Sequence, residues 1–277
     1  MIVEPSIEGV RRWRQECGGA VGLVPTMGFL HAGHLSLVAR ARAENGLVAV
    51  SIFVNPAQFG PREDLSTYPR DVERDLSLLR DAGVDLVFTP EAATIYPPGF
   101  DTWVEPGAIA TRLEGAARPG HFRGVCTVVL KLFTIVQPQR AYFGRKDAQQ
   151  LRVIQRMVTD LNLPVEIAPM PIVREPDGLA MSSRNSYLSP REREAALVLS
   201  RGLRAAAEHW HAGKRDATAI RQVVLDIINA EPLARVEYVS LADGETLEEL
   251  ELAQPGALLS LAVRVGKTRL IDNIELG

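Results

Sequence analysis

Short apolar runs and longer amphipathic segments alternate along the first part of the chain. Residues 20–24 and 47–55 are almost wholly apolar, as expected of strands buried on both faces of a parallel sheet. Between them, residues 33–45 carry apolar side chains at helical spacing, and Gly46 follows, a residue type that often ends a helix. The pattern predicts a strand, a helix and a second, parallel strand joined by a right-handed crossover.

The same alternation continues to about residue 162. A helix, a strand, a loop and a further helix are predicted in turn at 70–83, 84–90, 96–107 and 147–162. Residues 125–137 are mostly apolar, and periodicity leaves both a helix and a strand open there. Strands that alternate with helices are typical of a doubly wound α/β fold with a parallel sheet.

The pattern changes after about residue 172. Two helices come first and three strands follow, at 191–213, 217–230, 234–243, 257–266 and 268–276, with a hairpin turn near residues 265–267. Helices followed by antiparallel strands indicate a second, smaller α+β domain. The sequence therefore predicts two domains, residues 1–172 and residues 173–277.

The composition excludes several classes of protein. With 277 residues, 46% of them hydrophobic and 23% charged, the chain can bury a large core without disulfides. A net charge of −3 disfavours general nucleic-acid binding. Cys17 and Cys126 are far apart and in no metal-binding spacing, so we expect free thiols in a reducing compartment. No apolar run resembles a signal peptide or a membrane span, and we expect a cytoplasmic protein without membrane contacts.

The segment PTMGFLHAGHLSLV, residues 25–38, places two histidines where the first predicted strand gives way to a helix. Ligands of open α/β sheets bind at the carboxyl ends of strands. A helix that begins near Ala32 would offer unpaired backbone N–H groups to an anion, and His31 and His34 could both donate to one phosphate. The alternative is structural, with His34 capping the helix and His31 simply exposed.

Two further clusters follow strands or begin helices. Asn55 and Gln58, in FVNPAQF, offer neutral amides to a substrate with hydroxyl and carboxylate groups, although an ordinary Asn-Pro turn also explains them. In AYFGRKDAQQ, Lys146 at a helix start could neutralise phosphate charge. Asp147 could cap that helix or accept from ribose hydroxyls. Capping alone would explain Asp147 but not Lys146.

The last cluster lies near the predicted domain boundary. DGLAMSSRNSYLSP places Ser182, Ser183 and Arg184 in sequence, which suits a flexible clamp on a polyphosphate, whereas a linker rich in Ser and Asn is the plain alternative. The segment GHFRG adds His121 and Arg123 and is weak by itself.

These four clusters, in this order, resemble the motifs of the pantothenate synthetase (pantoate:β-alanine ligase) family. That family belongs to the nucleotidylyltransferase superfamily, which is related to class I aminoacyl-tRNA synthetases. PTMGFLHAGHLSLV is similar to the HxGH segment of the superfamily, and MSSRN to its counterpart of the synthetase KMSKS loop. FVNPAQF and FGRKDAQQ are similar to the more specific FVNPxQF and FGxKDxQQ motifs.

The resemblance implies an activity and a set of site residues. It implies a Rossmann-like domain with a smaller C-terminal lid, a homodimer, and use of ATP and Mg²⁺ to join pantoate to β-alanine through a pantoyl adenylate, with release of AMP and pyrophosphate. Implied catalytic residues, on the ATP phosphates, are His31, His34, Lys146, Ser182, Ser183 and Arg184. Further implied ATP contacts are Met27, Gly28, Gly144, Asp147, Val173 and Met181. Implied pantoate contacts are Pro25, Met27, Asn55, Gln58 and Gln150, and the metal ligands stay open.

Three other functions remain possible from the residues. A nucleotidyl transferase of the same superfamily without a ligation step is disfavoured by the amide-rich motifs. A class I tRNA synthetase fragment is disfavoured by the net charge of −3 and the lack of room for an anticodon domain. A non-catalytic nucleotide-binding regulator would not need every phosphate contact.

Overall fold

The computed structural model describes residues 1–61 and 63–277, which form two compact units. The first comprises Met1–Arg145 and Gln149–Pro171, and the second comprises Lys146–Ala148 and Ile172–Gly277. A doubly wound parallel sheet in the first unit and a smaller α+β arrangement in the second confirm the predicted fold class. The roles predicted for the two domains, ATP and pantoate binding and a lid, stay predictions.

The first unit is built on six parallel strands with helices on both faces. The strands are β1 (Ile2–Glu4), β2 (Val21–Thr26), β3 (Leu47–Ile52), β4 (Leu86–Phe88), β5 (Arg140–Gly144) and β6 (Glu166–Met170). The helices are α1 (Ile7–Glu16), α2 (Ala32–Glu44), α3 (Val72–Asp81), α4 (Ala92–Ile95), α5 (Leu113–Ala117), α6 (His121–Val136) and α7 (Ala148–Asp160). Strand order is β1-β4-β3-β2-β5-β6.

The strand order reverses between β2 and β5, and the register opens the sheet there. β2 pairs with β3 along its whole length but with β5 only at Gly22 and Leu23. Pro25, which has no N–H to donate, lies beyond the part of β2 that pairs with β5. Ligands of such sheets bind at the carboxyl ends of the strands where the order reverses. The strand order therefore predicts a ligand site among the residues after β2 and β5.

Alternation along the strands divides the core between the two faces of the sheet. Leu23 faces a cluster formed with α1, α6 and α7, whereas Val24 faces a cluster formed with α2 and α3. In α6, 12 of 16 residues are buried, so only a narrow face reaches the solvent, which explains why its periodicity left helix and strand open.

The second unit packs three helices on a three-stranded antiparallel sheet of order β7-β8-β9. Its elements are α8 (Pro190–Ala195), α9 (Leu197–His211), α10 (Ala217–Asn229), β7 (Ala234–Ala242), β8 (Ala257–Val265) and β9 (Thr268–Leu276). The predicted hairpin is confirmed, with Gly266 in the left-handed conformation (φ 57°) between β8 and β9.

Several predicted bounds were wrong. The segment 47–55 leaves the strand at Ile52, because Asn55 begins a 3₁₀ turn over Pro56–Gln58. The predicted helix 191–213 is two helices, divided at Ala196. Strands β1, β5 and β6 were not predicted. In the part of the chain that the structure describes, no helix is both long enough and apolar enough to cross a membrane.

Candidate active site

The loop after β2 is held by a buried carboxylate that the sequence analysis missed. Gly28 and Phe29 both have positive φ, 82° and 50°. Asp75, on α3, is 1% exposed, and its two carboxylate oxygens accept from the backbone N–H groups of Phe29 at 2.7 Å and Leu30 at 2.8 Å. Burial raises the pKa of Asp75, and the two hydrogen bonds oppose that rise.

Asp75 thus fixes a loop whose backbone is unfavourable for a side-chain-bearing residue at position 29. A sequence signal for it existed. Asp75 lies four residues before Leu79 and shares with it the buried face of α3. An acidic residue on an apolar helix face needs a partner inside the fold.

His31 and His34 form a reciprocal cap at the start of α2. The Nδ1 of His31 accepts from the N–H of Gly33 at 3.1 Å, and the Nδ1 of His34 accepts from the N–H of His31 at 3.3 Å. The ring centroids are 4.0 Å apart. A neutral imidazole that accepts at Nδ1 carries its proton on Nε2. Both rings are therefore fixed in the tautomer that donates through Nε2.

The cap corrects one expectation about this helix start. The sequence predicted unpaired backbone N–H groups here, but those of Gly33, His34 and Leu35 have partners. The N–H of Gly33 donates to Nδ1 of His31, and the other two donate to the carbonyl oxygen of His31. The structural alternative is also incomplete, because His31 caps the helix just as His34 does. In both residues, capping orients the ring and leaves Nε2 as the nitrogen with the proton.

Asn55 and Gln58 lie together beyond the end of β3, in the 3₁₀ turn. Asn55 is 1% exposed, and its Nδ2 donates to Oε1 of Gln58 at 3.0 Å and to the carbonyl of Gly124 at 3.1 Å. Its Oδ1 accepts from the N–H of Ala57 at 3.3 Å and from the hydroxyl of Tyr96 at 2.8 Å. The Nε2 of Gln58 lies 3.5 Å from Sδ of Met27.

The backbone of Gln58 is held by the motif GHFRG and by the arginine just before it. Nδ1 of His121 donates to the Gln58 carbonyl at 2.9 Å, and Arg118 donates to the same oxygen at 3.4 Å while it pairs with Glu63 at 2.7 Å. Burial, followed by the charge of Arg118, lowers the pKa of His121 to about 4. His121 is therefore neutral at pH 7. Arg123 lies over the Trp103 ring, 4.4 Å from its centroid.

The two glutamines after β5 have different surroundings. Gln149 is buried, accepts from the N–H of Glu114 at 2.8 Å and donates to the carbonyls of Ile109 and Arg112 at 2.9 and 2.8 Å. Gln150 is half-buried. Gln149 therefore holds the chain before α5, and Gln150 is the residue of the pair that fits a binding role. Gly144 is the last residue of β5.

Lys146 and Asp147 lie in the 3₁₀ turn Arg145–Asp147, and by their contacts they belong to the second unit. Nζ of Lys146 lies 3.7 Å from Oδ1 of Asp147. The carbonyl of Lys146 accepts from Nδ2 of Asn273 on β9 at 2.9 Å. The backbone of this turn is therefore tied to the second unit, while the ammonium forms a loose ion pair.

The serine-rich segment forms a 3₁₀ turn with its own cap, which corrects the linker interpretation of it. Ser182 begins a 3₁₀ turn over Ser183–Tyr187, and its Oγ accepts from the N–H of Arg184 at 3.2 Å. Just before it, the N–H of Met181 donates to the carbonyl of Val173 at 3.0 Å, closing a small hairpin. The segment is therefore not a linker between the two units, because it lies inside the second unit. Its role as a clamp on a polyphosphate stays a prediction.

Ion pairs join that hairpin to β9 and α8. Arg174 makes two hydrogen bonds to the buried carboxylate of Asp272, at 2.6 and 2.9 Å. Arg193 bonds to Glu175 at 2.7 Å and to Asp177 at 2.9 Å. Within residues 1–61 and 63–277, no three His, Cys, Asp or Glu side chains are grouped as a metal site would need.

Comparison with known proteins identifies a family for this chain. A sequence model described as Pantoate-beta-alanine ligase matches residues 3–275. The pantothenate synthetase of Roseiflexus sp. (strain RS-1) is 62% identical over 276 residues, which are 100% of this chain and 99% of that protein.

Two solved structures share the fold at high similarity. Pantothenate synthetase from Thermus thermophilus is 49% identical, with coverage of 100% of this chain and 99% of that one and a TM-score of 0.96. A pantoate-beta-alanine ligase from Francisella tularensis, solved in complex with beta-gamma ATP and beta-alanine, is 36% identical, with coverage of 99% and 97% and a TM-score of 0.83. The chain therefore belongs to the pantoate-beta-alanine ligase family, as its four motifs predicted.

Proposed function

We propose that this protein is a pantoate:β-alanine ligase that uses ATP to form a pantoyl adenylate and then pantothenate. The full-length match to the family and to pantothenate synthetases supports the overall reaction. The Francisella tularensis ligase solved with beta-gamma ATP and beta-alanine supports the choice of these two substrates. The observation in this chain that carries the proposal is the His31 and His34 pair, with both rings set to donate through Nε2.

The first step needs positioning more than acid or base catalysis. A carboxylic acid with a pKa near 4 is already ionised at pH 7, so the pantoate carboxylate attacks the α-phosphorus without a general base. The new bond joins a carboxylate oxygen to phosphorus, and the bond to pyrophosphate breaks. His31 and His34 donate to phosphate oxygens, and Lys146, Ser182, Ser183 and Arg184, the other phosphate contacts that the family implies, contribute charge and hydroxyl donors.

The second step replaces the mixed anhydride of the acyl adenylate with an amide. The amine of β-alanine attacks the acyl carbon, the bond from that carbon to the AMP oxygen breaks, and the amine loses a proton. Because β-alanine is mostly protonated at pH 7, it must also lose one proton before it attacks. Exclusion of water protects the acyl adenylate from hydrolysis until then.

The remaining assignments follow the family. Gln58 and Gln150 bind pantoate, with Pro25, Met27 and Asn55 around them. Met27, Gly28, Gly144, Asp147, Val173 and Met181 complete the ATP site. The donor set of imidazole, ammonium, guanidinium and hydroxyl groups suits phosphate oxygens, so Mg²⁺ would be carried mainly by the phosphates of ATP and would neutralise their charge. We also propose a homodimer in the cytoplasm.

One assay tests the reaction directly. The purified protein is incubated with ATP, Mg²⁺, pantoate and β-alanine, and AMP and pantothenate are measured. We expect equal amounts of both products, and AMP release that requires both acids. A nucleotide-linked product, formed with release of pyrophosphate but without release of AMP, would instead indicate a nucleotidyl transferase without ligation. ATP binding without turnover would indicate a regulator.

A further inference from the structure

The hydrogen bonds of Asn55 fix the orientation of its amide without ambiguity. One side of the amide faces the N–H of Ala57, which can only donate, and the other faces the carbonyl of Gly124, which can only accept. The atom near Ala57 must therefore be Oδ1, and the atom near Gly124 must be Nδ2. One backbone acceptor and one backbone donor thus fix the orientation of the Asn55 amide.

The orientation of the Asn55 amide in turn determines that of the Gln58 amide. The second hydrogen of Asn55 Nδ2 points to Gln58, so the Gln58 atom 3.0 Å away must accept and is Oε1. The other end of the Gln58 amide is then Nε2, beside Met27. Gln58 therefore presents N–H donors, and a substrate atom bound there must be an acceptor such as a hydroxyl or carboxylate oxygen.

Tyr96 supplies the outer end of this chain of hydrogen bonds. Its hydroxyl donates to Oδ1 of Asn55 at 2.8 Å and so completes the four hydrogen bonds of that amide. Burial raises the pKa of Tyr96 to about 12, which keeps the hydroxyl protonated and donating at any physiological pH. The ring is stacked on Trp103, with centroids 5.9 Å apart, and makes an edge contact with Phe100 at 5.1 Å.

We infer that Tyr96 is a positioning residue for pantoate, acting through Asn55 so that Gln58 presents only donors to the substrate. The inference rests on the proposed function in one respect, namely that Gln58 contacts pantoate. It also gives the loop at residues 96–107 a role, since its aromatic side chains hold the Tyr96 ring in place. Asn55, whose amide is used within the protein, then contributes to pantoate binding indirectly.

The test compares two tyrosine-to-phenylalanine variants in the steady-state assay. Tyr96→Phe should raise the KM for pantoate by about three- to tenfold, the range expected for one lost hydrogen bond, and leave the KM for ATP unchanged. Tyr142→Phe is the matched control. Tyr142 is fully buried in the same unit, and its hydroxyl bonds to Glu44 at 2.8 Å and Asn45 at 2.7 Å. The control should leave the KM for pantoate as it is.

A double-mutant cycle separates positioning from a general structural effect. In a Gln58→Ala background, Tyr96→Phe should have no further effect on the KM for pantoate, because the group that it orients is absent. Equal effects in the two backgrounds, or an equal effect of Tyr142→Phe, would overturn the inference. Thermal melting confirms that each variant is folded.

A third variant reverses the polarity of the network. Asn55→Asp removes both donors of Nδ2, so Gln58 must turn its amide to donate to the new carboxylate and then presents Oε1 to the substrate. We expect a larger rise in the KM for pantoate than in Tyr96→Phe. If Gln58→Ala itself leaves that KM unchanged, the pantoate assignment fails. If Gln58→Ala raises it and Tyr96→Phe does not, only the role of Tyr96 fails.

Discussion

The turn that carries His31 and His34 and the turn that carries Ser182, Ser183 and Arg184 are held in place in different ways. In the first, the imidazoles themselves accept the backbone N–H groups of the helix start. In the second, much of the support comes from ion pairs outside the turn, above all Arg174 with Asp272. If these residues bind phosphate as proposed, stability and phosphate binding are linked at the histidines and separable in the second turn.

The largest expected effect compares His34→Ala with Lys146→Ala. Loss of one donor that stabilises the transition state should lower the rate of adenylate formation by about two to three powers of ten in each variant. His34→Ala should also lower the free energy of unfolding by about 1 kcal/mol, because the N–H of His31 loses its acceptor. Lys146→Ala should not, since its 3.7 Å ion pair is loose. Single-turnover kinetics and urea unfolding measure the two effects.

Equal stability losses in the two variants would remove the contrast between the regions. An unchanged rate of adenylate formation in either variant would remove that residue from the ATP site.

Next in size is the removal of an outside support. Arg174→Ala leaves the buried carboxylate of Asp272 without its guanidinium, which should destabilise the second unit by about 2 to 3 kcal/mol. The matched control is Arg156→Ala, whose ion pair with Asp160 is exposed and should contribute less than about 1 kcal/mol. Thermal unfolding of both variants tests the difference. Similar melting temperatures would mean that the Arg174 pair does not hold the hairpin.

Acid should weaken the first unit through His121. Its pKa in the folded protein, about 4, is below the unfolded value of 6.5, so the unfolded chain binds more protons between these pH values. The stability contribution is complete above pH 6.5 and is lost as the pH falls toward 4. Between pH 7 and pH 5 the loss is about 2 kcal/mol, at 1.36 kcal/mol for each pH unit below 6.5.

The control for this prediction is His121→Asn, in which Nδ2 can still donate to the Gln58 carbonyl but does not titrate. Its free energy of unfolding should fall by about 2 kcal/mol less than that of the wild type over the same interval. Urea unfolding at the two pH values, followed by Trp13 and Trp103 fluorescence in a Trp210→Phe background, reports on the first unit. Parallel losses in the two proteins would contradict a buried neutral His121.

Much of the fold could be predicted because its elements are long or periodic. Helices such as α3 and α7 have clear amphipathic patterns, and β3 is a continuous apolar run. Strand β1 is three residues long and has no period to read. Strand β5 was overlooked because its residues run directly into the cluster of Lys146, and pattern alone does not separate a short buried strand from a loop.

Candidate site residues could be identified where their chemistry is local in sequence. The His31 and His34 pair and the two amide motifs can be read directly from neighbouring residues. The residues that hold the candidate site in place cannot be read in this way. Asp75, Tyr96 and Arg118 contact residues far away in the sequence, and their partners are backbone groups or buried amides. A polar residue on an otherwise apolar face is the only local sign of such a role.

In the proposed mechanism, imidazole Nε2 groups, rather than the backbone at the start of α2, hold the phosphates. His31→Asn tests it, because Asn is a good N-cap and keeps an acceptor for the N–H of Gly33 while it removes the ring donor. The measurement is pantoate-dependent exchange between ATP and pyrophosphate, without β-alanine. We expect the exchange rate to fall by about a hundredfold or more, with unchanged thermal stability. Exchange at the wild-type rate would contradict the proposed mechanism.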